Sequence, residues 1–284
     1  MDRFVVVTDS TANLPPELVS EYDIPMIPLT VHWGEETYLD GVTLDASTFY
    51  KWLQEREAFP TTSQPSPGAF IEFFLSVAKK HETKNILGIF ISAELSGTLA
   101  SAIQAKNELP NLNIELIDSR STSMGLGMQV LTAIRAEREG QSLEVAVERV
   151  QHVRDNMNII FAVDTLEYLH RGGRIGGAAR LLGTALNLKP VLQIEDGKVM
   201  PLEKVRMRRK SLQRVVEIVS ERVDGRRLGG VAIIHAQAGA DADLVEGWIK
   251  ELFAPEVMYN TILTPVVGTH AGPGTIGVAF YVED

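Results

Sequence analysis

The chain has 284 residues, 45% of them hydrophobic and 23% charged, which is ordinary for a soluble globular protein of one large or two medium domains. Because it has no cysteine, a disulfide framework, a thiolate metal site and a catalytic thiol are excluded. Its net charge of -10 argues against a general nucleic-acid-binding protein, which needs a basic surface. The first apolar run is too short for a signal peptide, and no apolar stretch approaches the ~18 residues of a membrane span, so we expect a cytoplasmic protein.

Short apolar strands alternate with amphipathic helices in the first half of the chain. We predict strands at Phe4–Val7, Ile86–Ile91 and Ile114–Ile117, and helices at Pro15–Tyr22, Ser96–Leu109, Ser123–Gly140 and Leu143–Asn156. Strands that lead into helices in this way indicate a mainly parallel, helix-covered sheet. The carboxyl ends of such strands are where open α/β sheets bind ligands.

The pattern changes after Asn158, where the second half of the chain begins. Two apolar runs, 190–194 and 198–202, are joined by Asp196-Gly197, which is a strong signal for a β-hairpin. Further strands and helices, with strands at 159–163 and 231–235, complete an α/β unit with a mixed sheet. We therefore predict two domains, residues 1–157 and 158–284, that pack closely and leave a ligand cleft between them.

Two turns in the first half are rich in hydroxyl groups. The segment Leu95-Ser96-Gly97-Thr98 leads from a strand into a helix, and free backbone N–H groups with adjacent hydroxyls form a site for an anion. The segment Thr61-Thr62-Ser63 precedes another helix and has more hydroxyls than capping requires. A purely structural capping role remains the alternative for both turns.

A third candidate segment surrounds His270, which is followed by glycines and a proline. The surrounding glycines predict a loop on which the backbone can approach a ligand. Residues 272–277 match the G-x-G-x-x-G pattern, but too few residues follow for a βα unit, so we reject a dinucleotide site. The glycine-rich segment around Arg174 is suited either to binding a phosphate or carboxylate or to turning the chain.

Evidence for catalysis is weak. The sequence contains no nucleophile elbow, no H-E-x-x-H and no Walker A motif, and its six histidines lack the spacing of metal ligands. A Ser–His–Asp set from Ser96, His270 and Asp118 is conceivable, so a serine esterase or acyl hydrolase stays the alternative function.

Taken together, these segments resemble the DegV family of bacterial fatty-acid-binding proteins. The resemblance covers nearly the whole chain and rests on the order and spacing of its motifs, which are Val7-Thr8-Asp9-Ser10-Thr11, Thr62-Ser63-Gln64-Pro65-Ser66, Leu95-Ser96-Gly97-Thr98, Gly172-Gly173-Arg174, Lys204-Val205-Arg206 and Thr269-His270-Ala271-Gly272-Pro273-Gly274.

The resemblance implies a two-domain α/β protein with a long-chain fatty acid between its halves and no cofactor. It places the carboxylate on Thr62 and Ser96 close to His270, and it adds Ser63, Ser92 and Gly97 to the ligand-binding segments. Relatives often have two serines at 92 and 93, and Ala93 here removes one hydroxyl. Ser92 and Ser96 stay competing donors.

The same resemblance implies a carrier without its own catalysis. Characterised members present the bound acid to a separate fatty acid kinase, and the acyl phosphate feeds phospholipid synthesis. The basic stretch Lys204–Lys210 is then a docking surface for the kinase or for a membrane, with Arg206 and Arg174 as the partner-docking residues. The alternative for this stretch is the solvated face of a helix.

Overall fold

The computed structural model describes residues 3–183 and 188–283, which form two larger β-sheets, one small sheet and the helices around them. In the first half the elements are β1 (Phe4–Asp9), α1 (Pro16–Glu21), β2 (Met26–Ile27), β3 (Thr30–Trp33), β4 (Glu36–Leu39), α2 (Ala46–Glu55), β5 (Thr61–Ser63), α3 (Pro67–Lys80), β6 (Asn85–Phe90), α4 (Thr98–Asn107), β7 (Asn113–Asp118), α5 (Ser123–Arg138) and α6 (Leu143–Asp155). In the second half they are β8 (Met157–Ala162), α7 (Glu167–Arg171), β9 (Val191–Glu195), β10 (Lys198–Glu203), α8 (Arg208–Val223), β11 (Arg227–His235), α9 (Gly239–Phe253), β12 (Met258–Ile262), α10 (Pro265–Ala271) and β13 (Ile276–Glu283).

The first large sheet confirms the predicted parallel, helix-covered arrangement. Its strand order is β2-β1-β6-β7, and every pairing in it is parallel. All six residues of β1 are buried, because side chains from α3 and α4 pack on one face and those of α5 and α6 on the other. A strand covered on both faces has a continuous apolar sequence rather than an alternating one.

The second large sheet is mixed, as predicted. Its order is β10-β9-β8-β13-β11-β12, and the pairing of β11 with β12 is parallel whereas the others are antiparallel. The hairpin between β9 and β10 turns at Asp196 and Gly197, whose φ angles are 48° and 77°. Two successive positive φ angles match the twist of the flanking strands, which is why Asp-Gly marks this turn.

A small antiparallel sheet of order β4-β3-β5 was not predicted from the sequence. Strand β5 consists of three hydroxyl-bearing residues and lacks the apolar alternation by which a strand is recognised. Its pairing with β3 sets Val31 opposite Thr62, so the small sheet fixes the position of Thr62.

The two halves of the chain share one core. Every strand of the mixed sheet begins at Met157 or later, whereas one contiguous cluster of buried side chains extends from Phe4 to Tyr281. The division into domains at residue 157 stays a prediction. Within residues 3–183 and 188–283, no helix is both long enough and apolar enough to cross a membrane.

Two neighbouring residues of α3 provide a test of this packing. Phe74 is fully buried, whereas the side chain of Leu75 is half exposed. We expect Phe74→Ala to lower the free energy of unfolding by about 3–5 kcal/mol, because it leaves a cavity, and Leu75→Ala to lower it by less than ~1 kcal/mol. Urea denaturation of the two variants measures the difference, and equal losses would contradict the assignment of α3 to the core.

Candidate functional site

A cavity with about 900 Å³ of atom-free space, counting its open mouth, is lined by the mixed sheet and by the segments that follow β6 and β7 of the parallel sheet. Residues from both sides of position 157 line it. Most of the wall is apolar, and its polar side chains are Thr62, Ser63, Gln64, Ser96, Thr122, Ser123, Arg174, His270 and Thr275. A mostly apolar cavity with a few polar groups is the usual form of a small-molecule site.

A hydrogen bond between Thr62 and His270 joins two distant segments at the wall of this cavity. Thr62 lies in β5 and His270 in the last turn of α10, and the distance from Thr62 Oγ1 to His270 Nε2 is 2.8 Å. Both side chains line the cavity. The structure therefore brings together two of the residues that the sequence nominated.

His270 is neutral at physiological pH. Burial, together with the positive charge of Arg174, lowers the pKa of His270 from 6.5 to about 4. Its Nδ1 is buried and has no hydrogen-bond partner among the described residues. A methyl group at Gly172 would lie 2.1 Å from this Nδ1, so only glycine at position 172 leaves room for the ring.

The segment around His270 is helical, so the prediction of a loop there is wrong. Pro265 begins α10 with a φ angle suited to a helix, and the Asp40 carboxylate accepts the Val266 N–H at 3.1 Å. This partner from a distant loop acts as the N-terminal cap of the helix. Gly272, with a φ of 78°, then ends the helix after Ala271.

Ser96 lies on the cavity wall, just before α4. Its Oγ is 2.8 Å from the Thr98 Oγ1 and accepts the Thr98 N–H at 3.3 Å. Thr98 is fully buried behind it. Either hydroxyl of this pair can be the donor, so the proton of Ser96 is available to the cavity whenever Thr98 donates.

Ser92 and Gly97 are not among the residues that line this cavity. The Ser92 hydroxyl donates to the Gly197 carbonyl at 2.9 Å, which ties β6 to the hairpin of the second half, and Ser92 does not line the cavity. Gly97 leaves space for Gln64, because a methyl there would lie 2.9 Å from Gln64 Nε2. Ser63 does line the cavity, and its Oγ is 2.8 Å from His32 Nε2.

The two arginines expected to dock a partner differ in their surroundings. Arg174 lines the cavity and donates to the Leu95 carbonyl at 3.0 Å and to the Gly172 carbonyl at 2.8 Å. Arg206 is exposed between β10 and α8. Arg174 therefore belongs to the cavity wall, and of the two only Arg206 lies on an exposed surface.

The catalytic set considered in the sequence is not assembled in this structure. Ser96 hydrogen-bonds Thr98, whereas His270 hydrogen-bonds Thr62. The Asp118 carboxylate accepts the N–H groups of Ala93 and Arg120 at 3.3 Å and 2.8 Å. Across the part of the chain that the structure describes, no group of three or more His, Cys, Asp or Glu side chains could hold a metal.

Four polar side chains on the wall were not nominated from the sequence, and one of them, Thr275, donates to the Ala271 and Gly272 carbonyls. Gln64 belongs to the segment that supplied Thr62, whereas Thr122 and Ser123 follow β7. The sequence feature that could have identified Thr122 and Ser123 is the run Ser121-Thr122-Ser123 shortly after an apolar strand, which resembles the two nominated turns.

Comparisons with known proteins match nearly the whole chain to one family. A family model described as "Uncharacterised protein, DegV family" matches residues 3–283. A DegV domain-containing protein of Halalkalibacterium halodurans is 34% identical over 283 residues, covering 100% of each chain. A solved structure of a DegV family protein from Thermus thermophilus, described as binding fatty acid, has a TM-score of 0.92. The two sequences are 33% identical, and the match covers 99% of this chain and 100% of the other. DegV from Bacillus subtilis, titled a fatty acid binding protein, is 31% identical with a TM-score of 0.89 and full coverage of both chains.

The cap of α10 predicts a pH dependence of stability. Burial raises the pKa of Asp40 from 3.8 to about 7. The unfolded chain therefore loses this proton at lower pH than the folded chain, so the free energy of unfolding falls as the pH rises between about 4 and about 7. We expect Asp40→Asn to remove this part of the decline, as measured by urea denaturation at a series of pH values. Parallel curves for the two proteins would show that Asp40 does not titrate in this way.

Proposed function

The chain belongs to the DegV family, and from that premise we propose that it binds a long-chain fatty acid by its carboxylate, in the cavity between its two halves. The observation that carries this proposal is the hydrogen bond between Thr62 and His270 on the wall of a largely apolar cavity. Solved relatives from Thermus thermophilus and Bacillus subtilis are described as binding fatty acids, which supports this class of ligand.

The hydroxyl of Thr62 is the first donor to the ligand. A carboxylate only accepts hydrogen bonds, so Thr62 must give it its single proton. The hydrogen bond to His270 must then run the other way, from the imidazole Nε2–H to Thr62 Oγ1. A pKa of about 4 leaves His270 with one N–H at neutral pH, as this arrangement requires. His270 acts by orienting the Thr62 hydroxyl towards the ligand.

The hydroxyl of Ser96 is the second donor and is supported in a similar way. Thr98 lies behind it, and when Thr98 donates to Ser96 Oγ, the proton of Ser96 is directed to the ligand. Each hydroxyl that meets the carboxylate is thus held by a second polar group. Such support is what keeps a donor in the geometry that binding needs.

The charge of the ligand is offset by Arg174. Its guanidinium lines the cavity close enough to His270 to help lower the pKa of the imidazole. Burying a carboxylate is costly unless it is hydrogen-bonded and paired. Two hydroxyl donors and one arginine meet both conditions, while the backbone carbonyls of Leu95 and Gly172 hold the arginine in place.

The apolar wall holds the acyl chain. Its side chains come from the turn after β6, from the mixed sheet and from α10, and include Ile91, Phe161, Ile234 and Val266. Each buried methylene contributes about 0.8 kcal/mol, so a long chain supplies most of the affinity and the polar end fixes its orientation.

We further propose that the protein is a cytoplasmic carrier that does no chemistry alone and presents its fatty acid to a separate kinase for acyl-phosphate formation. The exposed basic stretch that contains Arg206, Arg209 and Lys210 is the surface offered to the acidic face of this kinase, with transient membrane contact as a further role. The acyl phosphate then enters phospholipid synthesis.

Thr62→Val and Ser96→Ala test the carboxylate site. Each removes one donor to a charged group, so we expect each to weaken binding of stearate about tenfold or more. Thr61→Val is the matched control, because Thr61 is the exposed neighbour of Thr62 and does not line the cavity. Isothermal titration measures the affinities, and equal affinity in all four proteins would refute the proposed contacts.

Arg206→Glu tests presentation to the kinase. We expect this reversal of charge to reduce acyl-phosphate formation by a fatty acid kinase of the source organism about tenfold, with stearate affinity unchanged. Lys51→Glu on α2 makes the same change of charge at another exposed position and should leave both properties intact. A parallel loss of binding and phosphorylation in Arg206→Glu would contradict the docking role.

A further inference from the structure

The turn between β7 and α5 places polar groups on a part of the cavity wall that the carboxylate site does not use. Thr122 and Ser123 both line the cavity, one at the N-cap and the other in the first position of α5. The turn after β7 lies beside the turn after β6, because these strands are neighbours and the Ser92 N–H donates to the Ser121 carbonyl. It is therefore a separate location, about one strand spacing (~5 Å) from the turn that carries Ser96.

The hydroxyls of this turn are buried without partners. Thr122 Oγ1 and Ser123 Oγ have no hydrogen-bond partner in residues 3–183 and 188–283, and Ser123 is only 3% exposed. A threonine at an N-cap normally accepts a backbone N–H of its helix, but Thr122 makes no such bond. Leaving buried hydroxyls unpaired costs free energy, and a polar ligand atom in the cavity would recover this cost for Thr122 and Ser123, which line it.

The backbone of Ser123 adopts a strained conformation in this turn. Its φ is 50°, in the left-handed region that a residue with a side chain seldom adopts. Such strain persists only where the surrounding structure enforces it, and it is concentrated at ligand sites. Here the turn is held by the Ser119 hydroxyl, which donates to the Ser121 carbonyl at 3.1 Å, and by Gln129, which donates to the Ser119 carbonyl at 3.0 Å.

The surroundings of these hydroxyls are apolar. Ile159 and Ile194 line the same cavity and are paired with each other across β8 and β9. Ile159 also packs on α5, because a methyl at Gly125 would lie 2.6 Å from its Cδ1. A ligand atom that meets Thr122 and Ser123 is therefore a polar atom carried on an otherwise apolar chain.

We infer that Thr122 and Ser123 form a second polar subsite, which accepts a hydroxyl or keto oxygen carried on the acyl chain of the bound acid. The inference rests on the proposed function and narrows its ligand to oxygenated long-chain fatty acids. A hydroxyl on the chain can donate to one of these side chains and accept from the other, and the first backbone N–H groups of α5 add positive potential.

The test compares stearate with a series of hydroxystearates that carry the hydroxyl at successive positions. We expect one positional isomer to bind about fivefold more tightly than stearate, which corresponds to one net hydrogen bond. The double variant Thr122→Val and Ser123→Ala should lose this preference and keep its affinity for stearate. Ser121→Ala is the matched control and should keep the preference. The Ser121 hydroxyl is buried in the same turn and has no hydrogen-bond partner among the described residues, but Ser121 does not line the cavity.

The affinity for stearate separates the two hypotheses. If stearate binds and no hydroxystearate binds more tightly, or if the preference survives in the double variant, the second subsite is refuted while the proposed function stands. If stearate itself does not bind to the unmodified protein, the proposed function fails and this inference fails with it. Retained stearate binding in the double variant also demonstrates that the variant is folded.

Discussion

The hydrogen bond between His270 and Thr62 depends on elements from both halves of the chain. It joins residues 208 positions apart, one on the short strand β5 and the other at the end of α10. Asp40 caps α10, and Gly172 leaves room for the imidazole. The donor that faces the cavity is therefore oriented only when elements from both halves of the chain are packed together. The site therefore exists only in the assembled fold.

The electrostatics of the cavity suit a ligand with a single negative charge and a long apolar body. Burial and Arg174 keep His270 neutral, so the imidazole contributes an oriented N–H rather than a second positive charge. Arg174 remains the cation on the wall, and its guanidinium is held by backbone carbonyls. Because the rest of the wall is largely apolar, a compact, highly charged ligand would find one end of the cavity suitable and the remainder unfavourable.

Periodicity and turn chemistry were sufficient to predict much of the fold. The buried run of β1 and the Asp196-Gly197 hairpin depend on local patterns, and both are confirmed. The short strand β5 and the helix α10 were missed because their conformations depend on distant partners, β3 and Asp40.

The candidate site was likewise predicted only in part from local sequence patterns. The cavity wall includes Thr62, Ser96 and His270, which motif resemblance nominated, but also Thr122 and Ser123, which it did not. The sequence could not separate Ser92 from Ser96, which lie only four residues apart. In the structure Ser96 lines the cavity, whereas the Ser92 hydroxyl donates to the Gly197 carbonyl.

The most direct test of the central claim is a crystal structure of the protein with bound stearate. We expect carboxylate oxygens within about 3 Å of Thr62 Oγ1 and Ser96 Oγ, with the acyl chain along the apolar wall. A carboxylate bound away from both hydroxyls, or a stearate outside this cavity, would contradict it.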